Sequence, residues 1–84
     1  MYSVFLSRNA EKALKRAPTE IRERLLRTVK ALKNNPRPDG VTKLKGRDAW
    51  RVRVGEYRIL YHIDNNEMVV VVIKIAHRRE AYRR

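Results

Sequence analysis

Residues 50–62 read WRVRVGEYRILYH. Apolar and basic side chains alternate on both sides of Gly55-Glu56, the period-two signature of strands. A two-residue loop that begins with glycine is a hairpin signal. Pairing about that loop sets Val54 opposite Tyr57, Arg53 opposite Arg58, Val52 opposite Ile59, Arg51 opposite Leu60 and Trp50 opposite Tyr61. One face of the hairpin is then Trp50, Val52, Val54, Tyr57, Ile59 and Tyr61, an apolar and aromatic surface that belongs in a core. The other face carries Arg51, Arg53, Arg58, Leu60 and His62.

Outward from the hairpin, the rest of the chain falls into place around it. Residues 2–6, YSVFL, read as a short opening strand. Ser7 suits a helix N-cap, and Ala10, Ala13, Leu14 and Ala17 recur at helical spacing up to Pro18. Pro18 suits the first position of a second helix, whose apolar stripe is Ile21, Leu25, Val29 and Leu32. The i, i+4 pairs Glu20–Arg24 and Glu23–Arg27 lie on its solvated side. Asn34, Asn35, Pro36, Pro38 and Gly40 end that helix in a loop. Residues 43–48 lead into three strands at about 49–54, 57–63 and 68–76, with a turn at Asp64–Glu67 between the last two. The order β-α-α-β-β-β predicts an α+β fold: a two-helix hairpin packed on one face of a mostly antiparallel sheet.

The chain has 84 residues, enough for one domain over residues 1–84 with a small core. Its formal charge is +12, from 21 Lys and Arg against 9 Asp and Glu, which makes a polyanion the leading partner class. The basic residues spread over both halves, so any nucleic acid is expected to meet the folded body. There is no cysteine, in keeping with a reducing cytosol. No apolar run is long enough to span a bilayer and no secretory pattern opens the chain, so a cytoplasmic location and no membrane partner are expected. MVVVVIKIA is short and rich in β-branched residues, and reads as a buried strand.

Arg53 and Arg58 face each other across the hairpin. Like charges so placed destabilise a sheet by a few tenths to about 1 kcal/mol. Either the arginines splay into water or an anion sits between them. Three arginines on one sheet face of a +12 chain favour the anion, because guanidinium holds phosphate in a bidentate fork. In the last strand a buried lysine would need a partner, so Lys74 belongs on the polar face. Parity then adds Ala76 and Arg78 to that face and turns His77 inward.

Carboxylate clusters, cysteine ligands and Gly-rich phosphate loops are absent from the sequence, so no metal or cofactor is expected. An enzyme built from these residues would act on RNA, whose 2′-hydroxyl can attack its own adjacent phosphate. The protein would orient the attack, stabilise negative charge and move protons. Histidine, or a tyrosine among arginines, would serve as base.

The order of elements resembles the RelE branch of the RelE/ParE toxin superfamily. So do KLKG before the RVRVGEYRILY hairpin and HRREAYR near the end. The resemblance covers nearly the whole chain. It implies a toxin of a type II toxin–antitoxin pair that enters the ribosomal A site and cleaves mRNA without a metal, leaving a cyclic phosphate. Its implied partners are a cognate antitoxin, the ribosome with its rRNA, and mRNA. Carried over by position, the site comprises Arg51, Arg53, Arg58 and Arg78 around the phosphate. Tyr82 activates the 2′-hydroxyl and His77 is a second candidate for proton transfer. Where the family often has lysine, this chain has Arg51 and Arg53, which clamp phosphate but release protons poorly. Lys43, Lys45, Arg47 and Lys74 are candidate RNA contacts. The alternatives are a ParE-like, non-enzymatic inhibitor of DNA gyrase and a catalytically weak relative that only binds its antitoxin.

Overall fold

The computed structural model describes residues 1–46 and 48–81. Strand β1 (Ser3–Leu6) leads into α1 (Arg8–Arg16) and α2 (Thr19–Ala31). A two-residue strand β2 (Thr42–Lys43) follows, then β3 (Trp50–Val54), β4 (Tyr57–Asp64), β5 (Val69–His77) and a single helical turn α3 (Arg78–Ala81). The expected α+β fold is present, with three adjustments. Residues 42–43 pair as a strand, because they lie antiparallel to Trp50 and Arg51 at the sheet edge. Pro18 is the N-cap of α2 at φ −56° and ψ 150°, one position before the helix rather than its first residue. The last strand runs one residue later than expected and closes in α3. Among the described residues no helix is long and apolar enough to cross a membrane.

The sheet order is β1-β5-β4-β3-β2. All pairings are antiparallel except β1 with β5, which is parallel from Ser3↔Val69 to Leu6↔Val72. A parallel neighbour needs a crossover, but β1 and β5 stand at opposite ends of the chain, so the two helices and three strands between them supply it. Beyond Leu6 the chain leaves the sheet. Ser7 caps α1 by accepting from the Ala10 N–H at 3.1 Å, and its hydroxyl donates to the Ile73 carbonyl at 2.6 Å. β5 therefore loses its β1 neighbour after Val72, and α1 takes over that flank.

The hairpin register is the one the sequence predicts, Trp50↔Tyr61 through Val54↔Tyr57. Its inner face joins Leu25, Val29 and Leu32 of the helix stripe and Val70, Val72 and Ile75 of β5 in one core. Leu25, Leu32, Ile59, Tyr61, Val70 and Val72 have no accessible surface. Each fully buried aliphatic side chain contributes about 1.5–3 kcal/mol, which makes this cluster the main stabilising element of a small domain. The Tyr61 hydroxyl donates to the Pro36 carbonyl at 2.7 Å, satisfying its one polar atom. Burial pushes its pKa up to about 12, against an opposing pull from Arg37. Between β4 and β5, a bulge after Leu60↔Lys74 shifts the register by one.

Candidate active site

The site is built on the β3–β4 turn. Gly55 has φ +60°, which glycine adopts at no cost and which a Gly-first hairpin loop requires. A Cβ there would stand 3.3 Å from Ile21 Cδ1, so the turn also lies close against α2. Beside this turn opens a pocket of about 170 Å³ lined by Arg53, Arg58, Arg78, Glu56, Gly55 and Tyr57. Three neighbouring strands carry or lead into its cations. Arg53 and Arg58 are direct partners across the hairpin, Ala76 is the partner of Arg58 on β5, and Arg78 follows at the end of that strand.

Not every arginine of the predicted set reaches this pocket. Arg51 pairs with Leu60 and Thr42, one row further from the turn, and does not line it. Lys74 lies on the polar face by register, opposite Leu60, yet lines a separate groove beside α1. The reason is the loss of β1: beyond Val72 β5 is a sheet flank, and a long side chain there reaches over the edge. Lys43 and Lys45 are exposed at the far end of the sheet, where Lys43 Nζ stands 5.9 Å from the Trp50 ring centroid and Arg37 stands 5.0 Å from it. Arg47 and Tyr82 lie outside the described residues.

Glu56 of the hairpin turn adds a carboxylate to the arginine pocket. Its Oε2 lies 3.9 Å from Arg78 Nη1 and its Oε1 lies 3.8 Å from His77 Nε2. The Arg78 backbone N–H also donates to the Glu56 carbonyl at 2.7 Å, tying the hairpin turn to the start of α3. The Arg78 pair is long and exposed, and a pair of that kind contributes little to stability. The signal available in the sequence was the single acid inside an otherwise basic segment.

His77 faces inward, as parity predicts. Its ring meets Tyr57 edge-on at 5.1 Å between centroids. The Arg79 N–H donates to its Nδ1 at 3.1 Å. A neutral imidazole that accepts at Nδ1 carries its proton on Nε2, the nitrogen turned to Glu56. His62 is on the outer face, where its Nδ1–H donates to the Asp48 carbonyl. Trp50 and Tyr61 pack with the core rather than on the arginine face, and Tyr57 packs against the core while also lining the arginine pocket.

The family model described as the ParE toxin of type II toxin–antitoxin systems matches residues 4–82. The chain belongs to the ParE toxin family. Within the RelE/ParE superfamily it is of RelE type, as its structural relatives indicate. The RelE toxin of the archaeal RelE–RelB complex from Pyrococcus horikoshii superposes with a TM-score of 0.83 at 30% identity, over 92% of this chain and 94% of that one. The Mycobacterium tuberculosis toxin–antitoxin complex RelBE2 gives 0.80 at 25% identity, over 90% and 96%. A Methanocaldococcus jannaschii protein that carries the name toxin RelE1 is 29% identical over 86 residues, covering 98% of this chain and 96% of its own. This ParE-family chain is therefore a type II toxin of the RelE/ParE superfamily, with the sheet end bearing Arg53, Arg58 and Arg78 as its candidate site.

Proposed function

We propose that the chain is a ribosome-dependent endoribonuclease that cuts mRNA in the A site without a metal. The observation that carries this reading is one pocket lined by three guanidinium groups, Arg53, Arg58 and Arg78, in a chain of RelE type. In the reaction the 2′-oxygen bonds to the adjacent phosphorus and the bond from phosphorus to the 5′-oxygen breaks. The products are a 2′,3′-cyclic phosphate and a free 5′-hydroxyl. One proton leaves the 2′-hydroxyl and one reaches the 5′-oxygen. Negative charge builds on the non-bridging oxygens, where forked, permanently charged donors are most effective. Arg53, Arg58 and Arg78 take that task. Arg51, one row away, is better placed for a flanking contact. Tyr82 is the proposed base, by the resemblance. His77 is the second candidate for proton transfer, by the resemblance.

The relatives occur in complexes with RelB antitoxins. A cognate antitoxin is proposed here as well, as is contact of Lys43, Lys45, Arg47 and Lys74 with RNA phosphates. Cytoplasmic action follows from the ribosomal target.

The test is purified protein on programmed ribosomes, with 5′-end mapping of the mRNA. Wild type yields cuts in the A-site codon, and Arg78→Ala lowers the rate at least about 100-fold, the scale for losing a transition-state donor. Wild type that binds ribosomes and leaves mRNA intact overturns the enzyme reading. The ParE family model favours a second reading, non-enzymatic inhibition of DNA gyrase. A supercoiling assay separates the two.

A further inference from the structure

We propose that the groove between α1 and the C-terminal half of β5 is a second phosphate subsite, which holds a flanking phosphodiester of the same single-stranded RNA. The inference rests on the reading of the arginine pocket as an RNA site. Its space arises from the topology. β1 accompanies β5 only to Leu6↔Val72, and Ser7 then turns the chain into α1. Between α1 and the unaccompanied end of β5 lies a groove of about 340 Å³.

Its charge is one-sided. Lys12 and Arg16 of α1 line it, facing Lys74 and His77 of β5, and no Asp or Glu is among its lining residues. Lys12 and Arg16 are one helical turn apart, a spacing at which like charges repel. Glu11, the acid of α1, lines a different groove with Arg22 and Leu26 on the other side of the helix. The contrast with the arginine pocket is chemical: that pocket contains its own carboxylate, Glu56. A groove lined by Lys12, Arg16 and Lys74 and by no carboxylate is arranged for an external anion.

Tyr57 lines both cavities, so one aromatic side chain borders the two. A single strand laid across Tyr57 presents one phosphate to Arg53, Arg58 and Arg78 and a neighbouring one to Lys12, Arg16 and Lys74. Basic grooves with an aromatic side chain in the path are the common solution for single-stranded nucleic acid. An acidic peptide satisfies the same charge, but the apolar lining is Ala13, Ala17 and Ile75, of which Ala17 and Ile75 are each 2% exposed. Ala13 and Tyr57, both half-buried, are then the main apolar surface left for the anchors a peptide uses.

The experiment measures equilibrium binding of a labelled 2′-O-methyl hexaribonucleotide and of the matching dinucleotide across a salt series. The proteins are wild type, Arg78→Ala, the double variant Lys12→Ala/Arg16→Ala, and the control Lys30→Ala/Lys33→Ala. The control removes the same charge from exposed positions elsewhere. The Lys12/Arg16 variant is expected to weaken the hexamer several-fold and to lower the log–log salt slope by about 1 to 2, leaving the dinucleotide unchanged. Arg78→Ala weakens both ligands. Equal loss in the control, equal loss of both ligands in the Lys12/Arg16 variant, or no loss overturns the subsite. So does wild type that fails to bind the hexamer. An Asp/Glu-rich peptide that depends on Lys12 and Arg16 while RNA does not also overturns it. Ribosomal cleavage is read separately: absent cutting with an intact Lys12/Arg16 effect removes the nuclease reading and leaves the groove.

Discussion

Ile59 and Arg58 are adjacent in β4, yet Ile59 is wholly buried under the helices and Arg58 lines an open pocket. The same holds across the hairpin, where Val52 and Val54 face the core and Arg53 faces out. The inner face is apolar and closed around a satisfied tyrosine. The outer face gathers cations beside the carboxylate of Glu56. One backbone thus separates stability from function by side-chain parity, and substitutions on the two faces should have separable effects.

The largest break in that comparison is on the inner face. Ile59→Ala leaves a cavity in the centre of the core and should cost about 2–5 kcal/mol, read as a lower denaturation midpoint. Such a loss is a large part of the stability of a domain this size. Tyr61→Phe is next. It orphans the buried Pro36 carbonyl and should cost about 1–3 kcal/mol at neutral pH. Its pH dependence is specific. The Tyr61 pKa is raised from 10.0 to about 12, so the folded state holds the proton more tightly than the unfolded chain. That stabilisation is complete below pH 10 and is lost as pH rises toward 12. Comparing wild type with Tyr61→Phe by alkaline denaturation should show this part of the loss in wild type alone.

Outer-face changes are smaller in stability and opposite in sense. Glu56→Gln removes the carboxylate that competes for Arg78 and His77. It should tighten RNA binding about two- to five-fold while shifting stability by less than about 0.5 kcal/mol. Weaker RNA binding would show that Glu56 positions the cations rather than competing for them. The smallest effect is Arg53→Thr. Removing one of two opposed like charges should raise stability by a few tenths of a kcal/mol. The same variant should lose cleavage, the usual trade between a stable sheet and a functional one. A variant that gains stability and keeps full cleavage would exclude Arg53 from the site.

The hairpin, its two faces and the helix stripe could all be read from residue patterns, because each depends on side chains two to four positions apart. Arg53 opposite Arg58 follows from Gly55-Glu56 alone, since the loop length dictates the partner. Other features depended on contacts between distant segments. The parallel pairing of β1 with β5 and the register of β5 on β4 have no local signature. The register of β4 on β5 brings Glu56 to Arg78 and His77, and the end of β5 without a β1 neighbour leaves Lys74 beside α1. Periodicity tells which side of a strand a residue occupies. Which neighbours it meets there is decided only when the whole sheet is assembled, because register and edge position are properties of pairing, and pairing energy is shared among residues far apart in the chain.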